Sequence, residues 1–207
     1  TRYAGPNELY MSFDSSDKDR TYADEMKLNR YLMKNHHDTP FEMIQVWLEV
    51  RMPIFVARQF VRHRTQAINE VSARYVTLPA EWYIPEVVGA APVDKKQGQS
   101  EGLDAEVQGN FKHDLKEQCE RSYAMYLNFI GQGAAPEHAR MFLHVNHYTH
   151  WLSSMNLRNL LHFLVLRDHS HAQFEAQMYA KAITQLLEPH IPGLMALYRE
   201  LIRGEAV

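Results

Sequence analysis

The chain has 207 residues, 45% of them hydrophobic and 23% charged, with a net charge of −3. This composition argues against wholesale disorder, and its slightly acidic balance argues against a protein that binds nucleic acid through a basic coat. A single cysteine excludes an intramolecular disulfide and fits a reducing compartment. No apolar run approaches the ~20 residues of a membrane span, and no secretory leader pattern is present, so we expect a cytoplasmic protein without a membrane partner.

Hydrophobic periodicity predicts a helix-rich chain with a small sheet. Residues 44–52 alternate apolar and polar side chains, as a half-buried strand does, and Pro53 can end that strand and begin a helix. The predicted helices cover 19–35, 54–64, 104–130, 136–143, 157–168, 172–187 and 193–203, and a second strand covers 147–156.

Few segments fall outside this pattern. Residues 65–85 are predicted irregular or extended, Gly131 is a plausible stop for the long helix, and residues 92–104 form a polar surface loop. Neither side of that loop looks self-sufficient, so we expect one catalytic domain over 1–207. The fold class is α+β, with a small mixed or antiparallel sheet.

Cations and neutral hydrogen-bonding side chains are concentrated between Gln59 and Tyr75, in the sequence QFVRHRTQAINEVSARY. Arginine forks match phosphate oxygens, while Asn, Glu and Ser can contact sugars and base edges. The alternative to a ligand-binding segment is a charged surface loop that binds no ligand. Because the stretch contains no glycine, it is neither a P-loop nor a dinucleotide fingerprint, and side chains must hold any phosphate.

A second cluster follows in NLRNLLHFLVLRDHSHAQFE, which starts at Asn156. Leucines and a phenylalanine predict a buried helix, with Arg158, His162 and Arg167 at its borders. A cation at such a border needs a partner. That partner is either a carboxylate, Asp168 or Glu175, or a ligand.

The sequence pattern indicates structural roles for most histidines and for the cysteine. The 12 histidines include three spaced three apart, His144, His147 and His150, but such residues do not share a face of a strand and no HExxH motif is present. We therefore expect no metal. Cys119 lies at apolar helical spacing and is interpreted as a core residue.

RHRTQAINEVSARY, from Arg62 to Tyr75, resembles the signature RHRxxSxNExSxRY of the flavin-dependent thymidylate synthases. Every fixed position matches except the first serine, which is Ala67 here. Further resemblances to this family are HDTPFE from His37, PIFVARQ from Pro53, NLRNLLHFLVLR from Asn156 and HAQFE from His171.

This resemblance implies an α+β homotetramer that binds FAD between subunits. It also implies an enzyme that methylates dUMP to dTMP, with methylenetetrahydrofolate as carbon donor and NADPH as reductant of the flavin. Site residues follow from it position by position. The residues implied for FAD are Ser12, His37, Thr39, Arg62, His63, Arg64, Glu70, Asn156, Arg158 and His162. Those implied for dUMP are Gln59, Arg62, Glu70, Ser72, Ala73 through its backbone, Arg74, Arg140 and Arg167.

The resemblance gives Arg167 the catalytic role. A fixed cation at the uracil edge favours the deprotonated, electron-rich ring and makes its C5 a better nucleophile. No cysteine nucleophile is needed, and Cys119 lies outside every motif. Two alternatives of other classes are a nucleotide-binding protein without catalysis and a metal-dependent nucleotide hydrolase. Flavin absorbance and metal analysis would separate them from the synthase.

Overall fold

The computed structural model describes residues 21–93 and 98–204. Its helices are α1 (Tyr22–Lys34), α2 (Thr39–Glu42), α3 (Ile54–Phe60), α4 (Ala105–Gly131), α5 (Pro136–Ala139), α6 (Leu157–Arg167), α7 (Phe174–Leu187) and α8 (Pro192–Leu197). A 3₁₀ turn (Arg140–Phe142) follows α5 and a π-helix (Tyr198–Arg203) follows α8. The strands are β1 (Gln45–Pro53), β2 (Ala67–Glu70) and β3 (Tyr148–Asn156).

Contacts divide the chain into two compact units, each discontinuous in sequence. We call one the helical unit; it comprises Thr1–Ile44, Asn156–His169 and Gln177–Val207. The other, the sheet unit, comprises Gln45–Met155 and Ser170–Ala176. The single catalytic domain expected from the sequence stays a prediction.

The sheet has three strands in the order β1-β3-β2. β2 is antiparallel to β3, with Ala67 opposite Ser154 and Glu70 opposite Trp151. On β1 the predicted alternation is confirmed, because Met52 is buried while Trp47 on the other face is 66% exposed. A small sheet among many helices confirms the α+β class.

The helix after β1 is shorter than predicted. It begins at Ile54, directly after Pro53, but ends at Phe60, and the prediction that it continues to Arg64 is wrong. The carbonyl of Phe60 accepts from the backbone of His63 at 3.0 Å and from Nε2 of Gln66 at 2.7 Å. These bonds turn the chain, so residues 61–66 lie outside the helix.

Helix α4 follows its prediction closely. Asp104 caps its start by accepting from the backbone of Val107 at 3.0 Å. Its buried side chains are Cys119, Ser122 and Tyr126, which confirms Cys119 as a core residue. The predicted stop at Gly131 is displaced. The helix includes Gly131, and the left-handed residue that ends it is Gly133, with φ of 85°.

The core of the helical unit is built on α6. Its Leu157, Leu160 and Leu164 are fully buried, as the apolar run predicts. Arg30 of α1 makes a bidentate ion pair with Glu200 of the π-helix. Nη2 of Arg30 lies 2.6 Å from Oε2 of Glu200. This ion pair joins α1 to the π-helix within the unit.

Within the described ranges, no helix is both long and apolar enough to cross a membrane. Ser12, and Asp94 to Gln97 of the predicted polar loop, lie outside the described residues.

Candidate functional site

The backbone of the segment 62–75 is anchored at several points in the sheet unit. Residues 67–70 pair with β3 as β2. Directly after β2, the amide of Val71 donates to the carbonyl of His150 at 2.9 Å. The amide of Tyr75 then donates to the carbonyl of Ser72 at 3.0 Å, which closes a turn. The segment is thus fixed through its main chain.

The cations of this segment are left at the surface. Arg62, Arg64 and Arg74 are exposed and His63 is half-buried. Arg74 is partly ordered from within the segment, because its Nε donates to Oγ of Ser72 at 3.3 Å and its guanidinium lies 5.2 Å from the ring centroid of Tyr75. An anchored backbone with exposed guanidinium groups is suited to an anionic ligand.

Glu70 ends β2 beside an open cleft of about 440 Å³. Its carboxylate accepts from the hydroxyl of Thr149 on β3, which orients it. The cleft is also lined by His150 and Glu49, whose Nε2 and Oε1 lie 2.9 Å apart. Glu70 is therefore a fixed acceptor at the edge of a space large enough for a small ligand.

Two side chains near this segment are held by residues 170–176. Nε2 of Gln59 donates to Oε1 of Gln173. The hydroxyl of Tyr83 donates to Glu175 at 3.2 Å, and burial together with this carboxylate raises the pKa of Tyr83. Glu175, one of the two carboxylates considered as a partner for Arg167, therefore accepts a hydrogen bond from Tyr83.

Arg140, also implied for dUMP, stands in the 3₁₀ turn after α5. It is exposed, and its Nε contacts the carbonyl of Glu137 at 3.4 Å.

The helical unit carries a second cluster around a cavity of about 500 Å³. Arg158 and His162 of α6 line it, and Nε of Arg158 lies 3.1 Å from Oδ2 of Asp38. The lining combines apolar side chains with lysine, histidine and arginine side chains. The remaining lining residues are Met33, Lys34, His36, Phe41, Leu161, Val165, Leu201 and Ile202.

The other residues of the helical unit implied for FAD stand at helix starts. Thr39 is the first residue of α2, directly after Asp38. Asn156 caps α6, where its side-chain oxygen accepts from the amide of Asn159 at 2.9 Å. His37 is exposed, with its ring 5.8 Å from that of Tyr31. Because the oxygen of Asn156 is engaged in capping, its amide NH₂ is the group left to contact a ligand.

Arg167 is the last residue of α6 and is half-buried. Burial lowers the pKa of its guanidinium below the usual value. The neighbouring Asp168 pairs with Arg203, with Oδ2 and Nη1 2.7 Å apart. Both carboxylates considered as partners of Arg167 therefore also contact another side chain, Tyr83 for Glu175 and Arg203 for Asp168.

A buried polar cluster lies under Tyr123 in the sheet unit. Cys119 contacts Asn146, and Oγ of Ser122 lies 2.7 Å from Nε2 of His144. Burial raises the pKa of the Cys119 thiol and lowers that of His147. Across residues 21–93 and 98–204, no group of three or more His, Cys, Asp or Glu side chains is arranged to hold a metal ion.

The structure thus groups the implied residues in two sets. One set lies in the sheet unit and consists of Gln59, residues of the anchored segment and Arg140. The other lies at and just before the start of α2 and on α6 in the helical unit. Sequence reasoning assigned no role to three side chains that orient members of these sets, namely Asp38, Thr149 and Gln173. Asp38 lies in the motif HDTPFE and Gln173 in the motif HAQFE. The motifs therefore contained these two residues, although no role was assigned to them.

Comparison with known proteins identifies the family. The profile of the family described as thymidylate synthase complementing protein matches residues 5–193. A flavin-dependent thymidylate synthase from Gluconobacter oxydans is 40% identical over 187 residues, which are 88% of this chain and 62% of that protein. A flavin-dependent thymidylate synthase from Ruegeria pomeroyi is 45% identical over 171 residues, covering 80% and 57%. The chain therefore spans about three fifths of the length of these relatives.

Among solved structures, the chain is similar to the UMP/dUMP methylase PolB from Streptomyces cacaoi, crystallised with 5-Br UMP. The TM-score is 0.80 at 29% sequence identity, over 90% of this chain and 87% of that one. A second structure of PolB, bound with 5-Br dUMP, gives the same TM-score at 30% identity.

Proposed function

The chain belongs to the thymidylate synthase complementing protein family, and we propose that it is a flavin-dependent thymidylate synthase. The reaction is the reductive methylation of dUMP to dTMP, with methylenetetrahydrofolate as carbon donor and NADPH as reductant. The observation that carries the proposal is the segment 62–75, whose main chain is anchored while Arg62, Arg64 and Arg74 are exposed.

The residues present fit FAD. A dinucleotide needs cations for its phosphates and apolar walls for its rings. Arg62, His63 and Arg64 supply donors in the sheet unit. In the helical unit, Arg158 lines a cavity of about 500 Å³ whose other lining residues include Phe41, Leu161 and Val165. We assign both sets to FAD, contributed by neighbouring copies of the chain.

Individual roles in holding FAD follow from the contacts. Asp38 braces Arg158, so this guanidinium keeps its direction while it binds a phosphate. His162 lies on the same cavity, and Thr39 and Asn156 offer polar groups at helix starts. When bound, FAD would supply the carrier for the hydride that reaches the nucleotide.

For dUMP, we assign Gln59, Glu70, Ser72, Ala73, Arg74 and Arg140. Arg74 and Arg140 match the phosphate, as cations that can bind its oxygens. Gln173 holds one end of the Gln59 amide, so the other end has a defined direction. Ala73 is buried and can contribute only its main chain.

Arg167 acts on the uracil ring in this proposal. Its guanidinium is half-buried, so its field is less screened than that of a surface cation. Negative charge that develops on the ring as N3 loses its proton is stabilised by this fixed cation. The interaction is stronger in the transition state than with the neutral base, and so lowers the barrier.

We further propose a cytoplasmic homotetramer with sites completed between subunits, which acts on small molecules and on neither nucleic acid nor membranes. The cations of the segment 62–75 are too many for one ligand, which supports sharing between copies. The single cysteine, buried at 3% exposure, supports a reducing compartment.

A second candidate substrate is UMP, because the similar methylase from Streptomyces cacaoi is described as acting on UMP and dUMP. Competition assays with both nucleotides at equal concentration measure the ratio of kcat/KM directly. We expect dUMP to be preferred, and equal rates would assign this chain a broader substrate class.

The test of the proposed function is the absorbance spectrum of the purified protein, followed by anaerobic addition of NADPH with and without dUMP. We expect flavin absorbance that NADPH bleaches. Absence of flavin after reconstitution with FAD would favour the nucleotide-binding alternative. Activity that depends on an added metal would favour the hydrolase.

A further inference from the structure

His36 has a backbone conformation that side chains other than glycine rarely adopt. Its φ is 55°, and within the part of the chain that the structure describes it is the one non-glycine residue with a positive φ. It follows the end of α1, where the amide of His37 donates to the carbonyl of Leu32 at 2.9 Å. The amide of His36 donates to the carbonyl of Met33 at 3.3 Å. This pair of bonds closes a helix on a left-handed residue, and that residue is usually glycine.

The histidine at this position costs stability relative to glycine. Histidine tolerates a positive φ better than most side chains do, but glycine adopts it without steric cost. Residues held in such a conformation are concentrated at ligand-binding and active sites. The conformation of His36 therefore raises the question of what its imidazole does.

His36 lines the cavity of about 500 Å³ in the helical unit, together with Lys34 and Arg158. We call these three residues the basic cluster. Lys34 is the last residue of α1, and Arg158 lies in the first turn of α6, so two helices and the turn after α1 supply its members. The motifs assign a ligand to Arg158 but not to Lys34 or His36, which precede HDTPFE.

The basic cluster is only partly neutralised. Among the residues that line the cavity, Asp38 is the one acidic residue, and its Oδ2 lies 3.1 Å from Nε of Arg158. Across residues 21–93 and 98–204, neither Lys34 nor His36 makes a salt bridge or a side-chain hydrogen bond. The cluster therefore has nitrogen donors available for an anion in the cavity.

A different explanation applies to Lys34 alone. The carbonyl end of a helix carries partial negative charge and favours a cation in its last turn, where Lys34 lies. This explanation does not extend to His36, because glycine would end the helix at lower cost. It also does not require both residues to meet Arg158 at one cavity.

We propose that Lys34 and His36 bind a phosphate group of a dinucleotide in this cavity, beside Arg158. The volume is in the range of small-ligand sites, and the apolar lining residues Phe41 and Leu161 suit a flat ring. The left-handed turn fixes the main chain of His36 before the ligand arrives, which lowers the cost of binding. The identity of the dinucleotide rests on the proposed function, which supplies FAD and NADPH, and both contain a pyrophosphate.

Opposite changes in stability and affinity test His36. His36→Gly should raise the melting temperature of the protein without FAD by about 2 °C, because glycine adopts this φ freely. It should also weaken dinucleotide binding about five- to tenfold, as the loss of one hydrogen bond does. His36→Asn tolerates the same φ without adding backbone freedom and should show most of that loss in affinity.

The control for these variants is His190→Asn, which removes an exposed histidine of the same unit that does not line the cavity. It should leave affinity unchanged. A rise in melting temperature in His36→Gly with unchanged affinity would mean that His36 affects only the backbone, and would overturn the proposal.

A charge removal tests Lys34 and identifies the dinucleotide. Lys34→Met should weaken binding about five- to tenfold, whereas Lys27→Met, which removes an exposed lysine of α1 two turns away, should not. FAD affinity is measured by flavin fluorescence and NADPH affinity by calorimetry. A loss for FAD alone assigns the cavity to FAD, a loss for NADPH alone assigns it to NADPH, and a loss for both means that both use it.

Unchanged affinity for both dinucleotides in Lys34→Met, or an equal loss in Lys27→Met, would overturn the proposal. Formation of dTMP by the unmodified chain, measured separately, reports on the proposed function. A chain that forms no dTMP but loses dinucleotide affinity in the Lys34 and His36 variants would reject the synthase and retain the phosphate site.

Discussion

The two clusters of implied ligand residues differ in how their arginine side chains are positioned. In the helical unit, Arg158 is braced by Asp38 and lines a cavity. In the sheet unit, the main chain of the segment 62–75 is anchored, while Arg62 and Arg64 extend from it at the surface.

This difference indicates how each cluster should respond to mutation. A cation braced by a carboxylate has its direction set before the ligand arrives, so removing the brace should cost a modest part of the affinity. An exposed cation on an anchored main chain contributes little to folding. Removing it should therefore cost binding and leave stability intact.

The largest effect is expected at Arg64. Arg64→Ala should weaken FAD binding about ten- to a hundredfold, because a hydrogen bond between a charged donor and phosphate is worth roughly 1.5–3 kcal/mol. The melting temperature without FAD should stay unchanged. Flavin fluorescence titration measures the affinity, and Arg58→Ala, which removes an exposed arginine from α3, is the matched control.

Arg64→Ala with normal FAD affinity would mean that this side chain is only part of a solvated surface. Equal losses in Arg64→Ala and Arg58→Ala would indicate a general effect of charge.

Arg167 should show the next largest effect. Arg167→Lys keeps the charge but loses the planar fork, so FAD binding and flavin reduction by NADPH should persist. Formation of dTMP should fall at least about tenfold, or roughly 1.4 kcal/mol of barrier. Both activities are measured on one preparation. A parallel fall in both would assign Arg167 to the flavin site or to structure, and no fall in either would remove it from the mechanism.

A smaller effect is expected at Asp38. Asp38→Asn removes the charge that braces Arg158, and exposed ion pairs are worth about 0.2–1 kcal/mol, so FAD affinity should fall roughly two- to fivefold. Asp38→Glu should recover part of it. Glu188→Gln, which breaks the pair with Arg199 in the same unit, is the control and should leave FAD affinity unchanged. Loss of affinity in the control as well would show that any broken ion pair in this unit has the same result.

The smallest effect concerns stability alone. His147 is buried, its Nε2 has no hydrogen-bond partner among the described residues, and burial lowers its pKa despite an opposing effect of Glu81. The unfolded chain therefore binds a proton more readily below about pH 6.5. The contribution of His147 to the free energy of unfolding should be constant above that pH, decrease as the pH falls below it, and level off below the lowered pKa. Denaturant titrations from pH 7.5 to 5 (about one step per half unit) measure the slope, and His147→Phe should reduce it.

Local patterns were enough to predict most elements. The alternation in β1, the apolar run of α6 and the Asp104 start of α4 each reflect neighbours in sequence, and each is confirmed. The end of α3 was not predictable in this way, because it depends on the Gln66 side chain reaching back to the carbonyl of Phe60.

In the candidate site, too, some features could be predicted from local sequence and others depend on contacts between residues far apart in the chain. Motifs singled out the side chains that we propose contact ligands but not the groups that orient them. Asp38 and Arg158 lie 120 residues apart, and Gln59 and Gln173 lie 114 apart. Contacts of this range depend on how the chain folds back on itself, which periodicity and spacing do not encode.

The most direct test of the proposed function is turnover itself. The purified chain is incubated with dUMP, methylenetetrahydrofolate, NADPH and FAD, and dTMP is quantified by chromatography over time. We predict more than one dTMP per chain, and none when NADPH is omitted or when the bound flavin has first been removed and no FAD is added. A chain that binds dUMP and FAD but forms no dTMP would contradict the assignment as a synthase and support a nucleotide-binding protein.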